Sequence, residues 1–350
     1  MKTIKISASR DYDVIIGNNI IQHIGKHMKA FTRANFICIV SDSNVFPLYG
    51  NAVRNSLEAV GLQVYDFIFP AGETSKNGET YLSLLNFLAE NKISRNDCIV
   101  ALGGGVVGDL TGFVAATYLR GISFIQVPTS LLAMVDSSVG GKTAIDLPSG
   151  KNLCGAFYQP CLVLCDTDTL NTLPDDVFRD GCAEVIKYGV LFDAELFEHL
   201  VDNGVNFDRE AVIARCVELK RDVVAQDEFD TGLRMKLNLG HTVGHGIEAG
   251  SKFTISHGKA VAMGMAIIAR SGAKNGFCDI ETAVKIQSIL QQFGLPSNTH
   301  FTADYLFNAT LSDKKRSGDT VKLIIPRKIG LCDIVPTPVE NLKSFIEAGL

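Results

Sequence analysis

The sequence predicts an α/β domain with a mostly parallel sheet, followed by a mainly α-helical domain. Two domains are expected because the chain has 350 residues and single cores usually split above roughly 250–300 residues. Short apolar runs alternate with helical segments in the first half, whereas long amphipathic segments dominate from about Pro174 onward. We therefore place the α/β domain at residues 1–174 and the helical domain at residues 175–350.

Strand-like runs and helical segments follow each other closely in the first half. The runs are Phe36–Asp42, Leu62–Phe69, Asn96–Gly105 and Ile122–Ser130. The segments AVRNSLEAV and DLTGFVAATYL, which have helical spacing, lie between runs of this kind. Such alternation predicts parallel strands that are covered by helices on both faces of the sheet.

The second half has the spacing of amphipathic helices. In AVIARCVELKRDVVAQ, the apolar residues Val212, Cys216, Leu219 and Val223 recur at steps of four, three and four. SHGKAVAMGMAIIARSGAKNG and ETAVKIQSILQQFG are similar. Late in the chain, the segment TVKLIIPRKIGLCDIV has the pattern of two β-strands.

Composition excludes several classes of protein. The chain is 46% hydrophobic and 20% charged, with a net charge of −5, which argues against a disordered protein and against a basic nucleic-acid binder. It has no apolar stretch of about 18 residues and no secretory h-region near its N-terminus. The nine cysteines are scattered, and Cys161 and Cys165 share an apolar, strand-like run. We expect a cytoplasmic protein with reduced cysteines and with neither membrane nor nucleic acid as a partner.

A glycine-rich turn follows the third strand-like run. Gly103, Gly105 and Gly108 have the spacing G-x-G-x-x-G after a strand and open a helix, which suits a diphosphate at a helix N-terminus. The usual ribose-binding acid at the end of the next strand is absent, because that strand ends in VPTS. Asp42 or Glu73 would have to supply it.

A second glycine-rich segment, GGKT, ends at Thr143. It is not a P-loop, because Asp136 stands where the P-loop requires glycine. Lys142 still suits a phosphate oxygen, and Lys151 and Asn152 lie close by in PSGKN.

Polar residues recur at helical spacing between positions 230 and 248. They are Asp230, Arg234, Asn238, His241, His245 and Glu248, at steps of four, four, three, four and three. This spacing predicts one stripe along a single helix. Gly240, Gly244 and Gly246 interrupt it, which indicates close approach by another backbone or a ligand.

Three histidines, His241, His245 and His257, lie within 17 residues and predict a metal site. A catalytic zinc takes three protein ligands and keeps an open position. Spacing alone does not decide which two histidines bind the metal and which one acts as acid or base. Glu184, on an apolar helix with Lys187 and Tyr188 at i+3 and i+4, is the candidate carboxylate ligand. Ser256 is a plausible N-cap of the helix that follows it.

The chain resembles the 3-dehydroquinate synthase family of sugar-phosphate cyclases between about Gly72 and Gly330. The segments that carry the resemblance are GGGVVGDLTGFVAATYLRG, PTSLLAMVDSSVGGKTAIDLPSGKN, CAEVIKYG, GLRMKLNLGHTVGHGIE, SHGKAVAMGM and SDKK. The resemblance implies a Rossmann-like NAD-binding domain and a helical zinc- and substrate-binding domain, with the site in the cleft between them. It also implies a homodimer.

The implied activity is that of a carbon–oxygen lyase in the shikimate pathway, which serves aromatic amino-acid biosynthesis. The substrate would be a sugar acid phosphate, 3-deoxy-D-arabino-heptulosonate 7-phosphate, and the products 3-dehydroquinate and phosphate. The implied steps are transient oxidation with NAD, phosphate elimination, reduction and intramolecular aldol closure. NAD would be regenerated in each turnover, and the metal would be Zn²⁺ or Co²⁺.

The resemblance also implies a role for individual residues. The metal ligands would be Glu184, His241 and His257. The catalytic residues would be His245, Lys187, Lys220, Asp136 and Asp230. The substrate contacts would be Arg120, Lys142, Asn152, Arg234, Asn238 and one of Lys314 and Lys315. The NAD contacts would be Asp42, Glu73, Thr74, Ser75, Lys76, Gly105, Val106, Val107, Gly108, Asp109, Thr129, Ser130, Lys142, Lys151, Thr169 and Thr172.

The sequence departs from the family at two positions. Asp230 stands where glutamate is usual, and Lys259 replaces the usual glutamate after His257 and Gly258. Asn238 and His245, which related cyclases for other sugar phosphates tend to alter, are intact and favour the heptulosonate substrate.

Three alternatives stay open. Another sugar-phosphate cyclase finds its best support in Asp230. A metal-dependent polyol dehydrogenase would release NADH and would not need the lysines of SGKN and SDKK. A non-catalytic nucleotide-binding regulator would not need the three implied metal ligands.

Overall fold

A computed structural model describes residues 1–28, 34–252, 254–312, 316–317 and 319–350. The strands, in chain order, are β1 (Lys2–Ile6), β2 (Tyr12–Gly17), β3 (Phe36–Asp42), β4 (Gln63–Phe69), β5 (Cys98–Gly103), β6 (Ser123–Pro128), β7 (Lys142–Leu147), β8 (Gly150–Phe157), β9 (Leu162–Asp166), β10 (Arg316–Ser317), β11 (Thr320–Lys328) and β12 (Leu331–Pro338). The α-helices are α1 (Ile24–Met28), α2 (Asn51–Glu58), α3 (Gly78–Glu90), α4 (Gly105–Thr117), α5 (Asp175–Phe192), α6 (Ala194–Asn203), α7 (Arg209–Gln226), α8 (His241–Gly250), α9 (His257–Lys274), α10 (Ile280–Gln292), α11 (Ala303–Ser312) and α12 (Val339–Gly349).

Backbone packing divides the chain into two units. The first contains Met1–Leu173 and Arg209–Phe229, and the second contains Pro174–Asp208 and Asp230–Leu350. Helix α7 therefore packs with the α/β unit, against β1 and β2, although the predicted boundary assigned it to the helical domain. The amphipathic pattern correctly predicted that α7 is a helix. A pattern of this kind does not specify which unit covers the apolar face.

The first unit is built around a seven-stranded sheet with the order β1-β2-β9-β6-β5-β3-β4. Only the β1–β2 pair is antiparallel within this sheet, as described, so the predicted mostly parallel sheet is confirmed. Every residue of β5 and β9 is buried, which is typical of strands with helices on both faces. One apolar cluster includes Ile39 and Val100 and the other includes Val40 and Ile99, so successive residues alternate between the two cores.

The second unit is mainly helical and contains a small antiparallel sheet. Helices α5 and α9 are buried along most of their length, and α9 packs against α5, α8, α10 and α12. Strands β11 and β12 pair with each other and confirm the two-strand pattern of the late segment. Among the residues that the structure describes, no helix is both long and apolar enough to span a membrane.

Candidate active site

Three side chains from three helices of the second unit converge on one point. Glu184 lies on α5, His241 begins α8 and His257 begins α9. Glu184 Oε1 is 3.5 Å from His241 Nε2 and 3.4 Å from His257 Nε2. One ligand atom from each residue lies within 4.8 Å of the others. We refer to these three residues as the triad.

Two of the three separations within the triad fit a tetrahedral metal site. Bonds of about 2.0–2.2 Å to a central zinc place neighbouring ligands about 3.3–3.6 Å apart, which matches both Glu184–histidine separations. The Glu184 side chain is only 1% exposed, and neither of its carboxylate oxygens makes a geometrically acceptable hydrogen bond within the described residues. Lys187, one turn along the same helix, pairs with it. A buried carboxylate in this position is suited to coordinating a cation.

Both histidines are oriented through their other ring nitrogen. His241 Nδ1 is 3.1 Å from the carbonyl oxygen of Leu239, which can only accept, so Nδ1 carries a proton and Nε2 is the ring nitrogen that faces Glu184. His257 Nδ1 is 3.4 Å from Glu248 Oε2. A partner of this kind fixes the ring and raises its basicity as a ligand. Burial lowers the pKa of His257, but contacts with Glu184 and Glu248 raise it to about 10. A bound divalent cation would displace that proton.

The start of α9, and with it His257, is held by Asp180 on α5. Asp180 Oδ1 accepts the Lys259 backbone N–H at 2.9 Å and also accepts the Ser256 hydroxyl. Ser256 occupies the N-cap position, as expected, but its side chain makes no capping hydrogen bond, and Asp180 satisfies the helix terminus instead. A Cβ at Gly258 would lie 2.0 Å from the Asp180 carbonyl oxygen, so only glycine permits this contact.

The predicted single polar stripe is wrong. A short 3₁₀-helix, Leu233–Asn238, ends before α8, and Gly240 between them has a left-handed φ of 77°. A Cβ on Gly240 would lie 2.6 Å from the Val261 carbonyl oxygen on α9. The glycines therefore mark close backbone packing, as expected, but that packing breaks the helix. Only His241, His245 and Glu248 share α8.

The remaining candidates of the second unit lie on both sides of this break. His245 is half-buried on α8, and its ring centroid is 5.4 Å from that of His241 and 6.3 Å from that of His257. Arg234 is almost fully buried, and Asn238 donates to the Met235 carbonyl at 3.1 Å. Asp230 has a positive φ of 59°. Lys314 and Lys315 lie outside the described residues.

In the first unit, several candidate NAD contacts share the carboxyl edge of the sheet. Asp42 ends β3, the glycine loop follows β5, and Thr129 and Ser130 follow β6. The strand order reverses between β3 and β5, and ligands of open α/β sheets bind at such a point. A Cβ on Gly108 would lie 2.6 Å from Gln126 Oε1, so this glycine permits close packing of helix α4 on the sheet. The first N–H groups of α4 suit a diphosphate.

A buried cation joins several of the other candidates. Lys76 is 4% exposed, and its Nζ is 2.9 Å from Glu73, 3.3 Å from Asp109 and 3.8 Å from Asp146. Lys151 Nζ is 3.2 Å from Glu73. Burial raises the pKa of Asp109 to about 6, although Lys76 opposes that shift. Burial would also raise the pKa of Glu73, but the two lysines hold it below its usual value. We call these five residues the Lys76 cluster.

The other candidates of the first unit fall into two groups. Lys220 on α7 is 5% exposed, donates to the Asp136 carbonyl oxygen at 2.6 Å and also pairs with the Asp136 carboxylate. The second group lies in the turn before α3, just after α4, in the β7–β8 hairpin or after β9, and Ser75 and Thr169 are its buried members. It comprises Thr74, Ser75, Arg120, Lys142, Asn152, Thr169 and Thr172. Arg120 follows the carboxyl end of α4 and so lies at the opposite end of that helix from the glycine loop. Arg120 and Asn152 have positive φ values of 66° and 53°, and such strained backbone is concentrated at functional sites.

Sequence reasoning missed three supporting carboxylates. Glu248 was placed on the polar stripe without a role, and Asp146 and Asp180 were given none. Asp146 lies inside PTSLLAMVDSSVGGKTAIDLPSGKN and Glu248 ends GLRMKLNLGHTVGHGIE, two segments that carried the family resemblance, and Asp180 lies two residues before a third, CAEVIKYG. Their partners come from other elements, so local spacing contained no signal for these contacts.

Comparisons with known proteins agree over nearly the whole chain. Family models for the 3-dehydroquinate synthase N-terminal and C-terminal regions match residues 66–180 and 181–316. A 3-dehydroquinate synthase from Pelobacter propionicus is 46% identical over 95% of this chain and 94% of its own length. One from Streptococcus suis is 43% identical over 96% and 97%. A solved structure of 2-deoxy-scyllo-inosose synthase, complexed with carbaglucose-6-phosphate, NAD⁺ and Co²⁺, has a TM-score of 0.90 at 26% identity and covers 100% of both chains.

Proposed function

This chain belongs to the 3-dehydroquinate synthase family, and we propose that it converts 3-deoxy-D-arabino-heptulosonate 7-phosphate into 3-dehydroquinate and phosphate. The observation that carries the proposal is the triad of Glu184, His241 and His257, whose spacing fits a catalytic metal. The relative from Pelobacter propionicus bears the name of this activity at 46% identity.

The triad would hold Zn²⁺ or Co²⁺, and the carboxyl edge of the sheet would hold NAD. The metal supplies a Lewis acid for substrate hydroxyls and NAD supplies a reversible hydride acceptor. The glycine loop would offer N–H groups for the diphosphate, and Asp42 at the end of β3 would accept from a ribose hydroxyl. The Lys76 cluster fixes the turn beside that loop.

The side chains would move protons and neutralise the leaving group. His245 lies beside the triad and is not one of its three members, and its imidazole would act as the general acid or base. Arg234 and the lysines Lys142, Lys187 and Lys220 supply positive charge for a phosphate dianion. Asp136 holds the Lys220 ammonium in place through two contacts. We include in this proposal that the active form is a homodimer.

Phosphate release from the heptulosonate phosphate tests the proposal. Catalytic NAD and one equivalent of zinc should support rapid release, EDTA should stop it, and no net NADH should accumulate. Accumulating NADH would instead indicate a polyol dehydrogenase. Release only from another phosphate, such as glucose 6-phosphate, would indicate a different cyclase. Either of those outcomes would overturn the proposal.

A further inference from the structure

The β7–β8 hairpin contains a bulge at the position of two candidate ligand residues. Ile145 pairs with Cys154 and Leu147 pairs with Gly150, so the single residue Asp146 faces residues 151–153. The longer side of the bulge therefore carries Lys151 and Asn152. Bulges of this kind re-aim side chains and are frequent next to active sites.

The Asp146 side chain replaces the hydrogen bond that the bulge interrupts. Its Oδ1 accepts the backbone N–H of Asn152 at 2.8 Å. Asn152 has a left-handed φ of 53°, and its side chain is exposed. An extra residue in a bulge normally leaves its N–H without a ladder partner, so this acceptor stabilises the conformation that presents Asn152.

As a member of the Lys76 cluster, Asp146 also connects the bulge to Lys76. Its own backbone N–H donates to the Lys76 carbonyl oxygen at 2.8 Å, and its Oδ1 is 3.8 Å from Lys76 Nζ. The neighbouring Lys151 is held by Glu73 at 3.2 Å. Two consecutive residues are thus held by carboxylates that both pair with Lys76: Lys151 through Glu73 and Asn152 through Asp146.

We propose that Asp146 is a positioning residue for substrate binding, which sets the backbone of the bulge and so presents Asn152. The inference rests on the proposed function, because the substrate role of Asn152 is part of it. Asp146 acts through the Asn152 N–H and need not touch the substrate. Its Oδ1 serves as the acceptor, so a side chain that keeps an oxygen there preserves most of the effect.

The first experiment measures how well the amide hydrogens of the bulge are protected, and it does not use enzyme activity. Hydrogen–deuterium exchange is followed over residues 150–154 in wild type, Asp146→Ala and Asp146→Asn. Asp146→Ala should speed exchange there by about 10-fold or more, since a protecting hydrogen bond is lost, and Asp146→Asn should change it far less. Asp11→Asn, an exposed aspartate of the same unit, is the matched control. Unchanged exchange in Asp146→Ala would overturn the inference.

The second experiment connects the bulge to the substrate. Asp146→Ala and Asn152→Ala should each raise KM for the heptulosonate phosphate by about 10–100-fold with a smaller change in kcat. Their effects should not multiply in the double variant, because they remove one interaction. Multiplying effects would overturn the inference. Asp146→Asn should bring KM back close to the wild-type value. A loss of folding in Asp146→Ala lowers the amount of active enzyme rather than changing its KM, so it cannot imitate this pattern.

Failure of the proposed function gives a different result. A wild-type protein that releases no phosphate, or an Asn152→Ala variant with wild-type KM, would overturn the substrate role of Asn152. Exchange over residues 150–154 would still decide whether Asp146 holds the bulge.

Discussion

The two units of this protein hold their candidate ligand residues in different ways. In the second unit, the triad consists of side chains on three helices, and Glu184 lies where α5 is buried on all sides. In the first unit, many candidate contacts are backbone groups or exposed side chains at the ends of strands, such as the glycine loop and Asn152. The candidate metal site is thus set by helix packing, and the candidate nucleotide and substrate loops are set by turns, bulges and ion pairs.

This difference predicts different responses to mutation. A changed ligand in the second unit removes a group that nothing else replaces. A changed residue in the first unit alters a loop that keeps its other ion pairs and hydrogen bonds. Lys76, for example, has three carboxylate partners. Variants of the triad should therefore have the largest effects, and variants of the Lys76 cluster should have graded ones.

Glu184→Gln should have the largest effect. The substitution keeps the shape of the side chain but removes the only carboxylate of the triad, so metal affinity should fall by more than the ~10–100-fold typical of outer-shell changes. Turnover should fall to background. Metal content after gel filtration and phosphate release measure both effects. Glu281→Gln, an exposed glutamate of the same unit, is the control. Full metal content in Glu184→Gln would show that the metal lies elsewhere.

His245→Ala should separate catalysis from metal binding. Because His245 lies beside the triad and is not one of its three members, metal content should stay near wild type. Turnover should fall by about 10²–10⁴-fold, the usual range for a general acid or base. Loss of the metal in this variant would mean that His245 is a ligand and that the histidine roles are exchanged.

The sequence predicted the helices and strands better than it predicted which of the two units each of them belongs to. Alternating strands and helices indicated the parallel sheet because its strands are buried on both faces and read as continuous apolar runs. The same reasoning placed α7 in the second domain, although it packs with the first unit. Amphipathic spacing shows that one face is covered and does not show by which neighbour.

The candidate site was predicted least well where it depends on tertiary contacts. Spacing suggested a histidine site with Glu184, and family resemblance specified which histidines bind. Helical periodicity failed between Asn238 and His241, because Gly240 adopts a left-handed conformation to let α8 and α9 approach. Glu248 and Asp146 act on residues of other elements, so their roles became visible only in the structure.

Glu248→Gln should have an intermediate effect on the metal site. The amide still occupies the space beside His257 Nδ1 but loses the charge that favours a strongly basic ring. Metal affinity should weaken by about 10–100-fold, and activity should return at high metal concentration. Chelator competition measures the affinity. An unchanged affinity would show that helix packing and Asp180 hold His257 without help from Glu248.

Asp109→Asn should have the smallest effect and should depend on pH. Burial raises the pKa of Asp109 from 3.8 to about 6 in the folded protein, although Lys76 opposes the shift; Glu73 and Asp146 add to it. The folded state therefore binds more protons than the unfolded state between these values. Ionisation of Asp109 then makes the folded protein less stable as pH rises through this window, by at most about 3 kcal/mol.

The asparagine variant cannot ionise, so its free energy of unfolding relative to wild type should increase from about pH 4 to pH 6 and level off above. Loss of the Lys76 contact adds an offset that leaves this slope unchanged, since Lys76 stays charged throughout. Urea unfolding of both proteins at several pH values measures the difference. If the difference in free energy of unfolding did not change with pH, the Lys76 cluster would already compensate the charge of Asp109. The first unit would then resemble the second, because both would keep charged groups in place before a ligand binds.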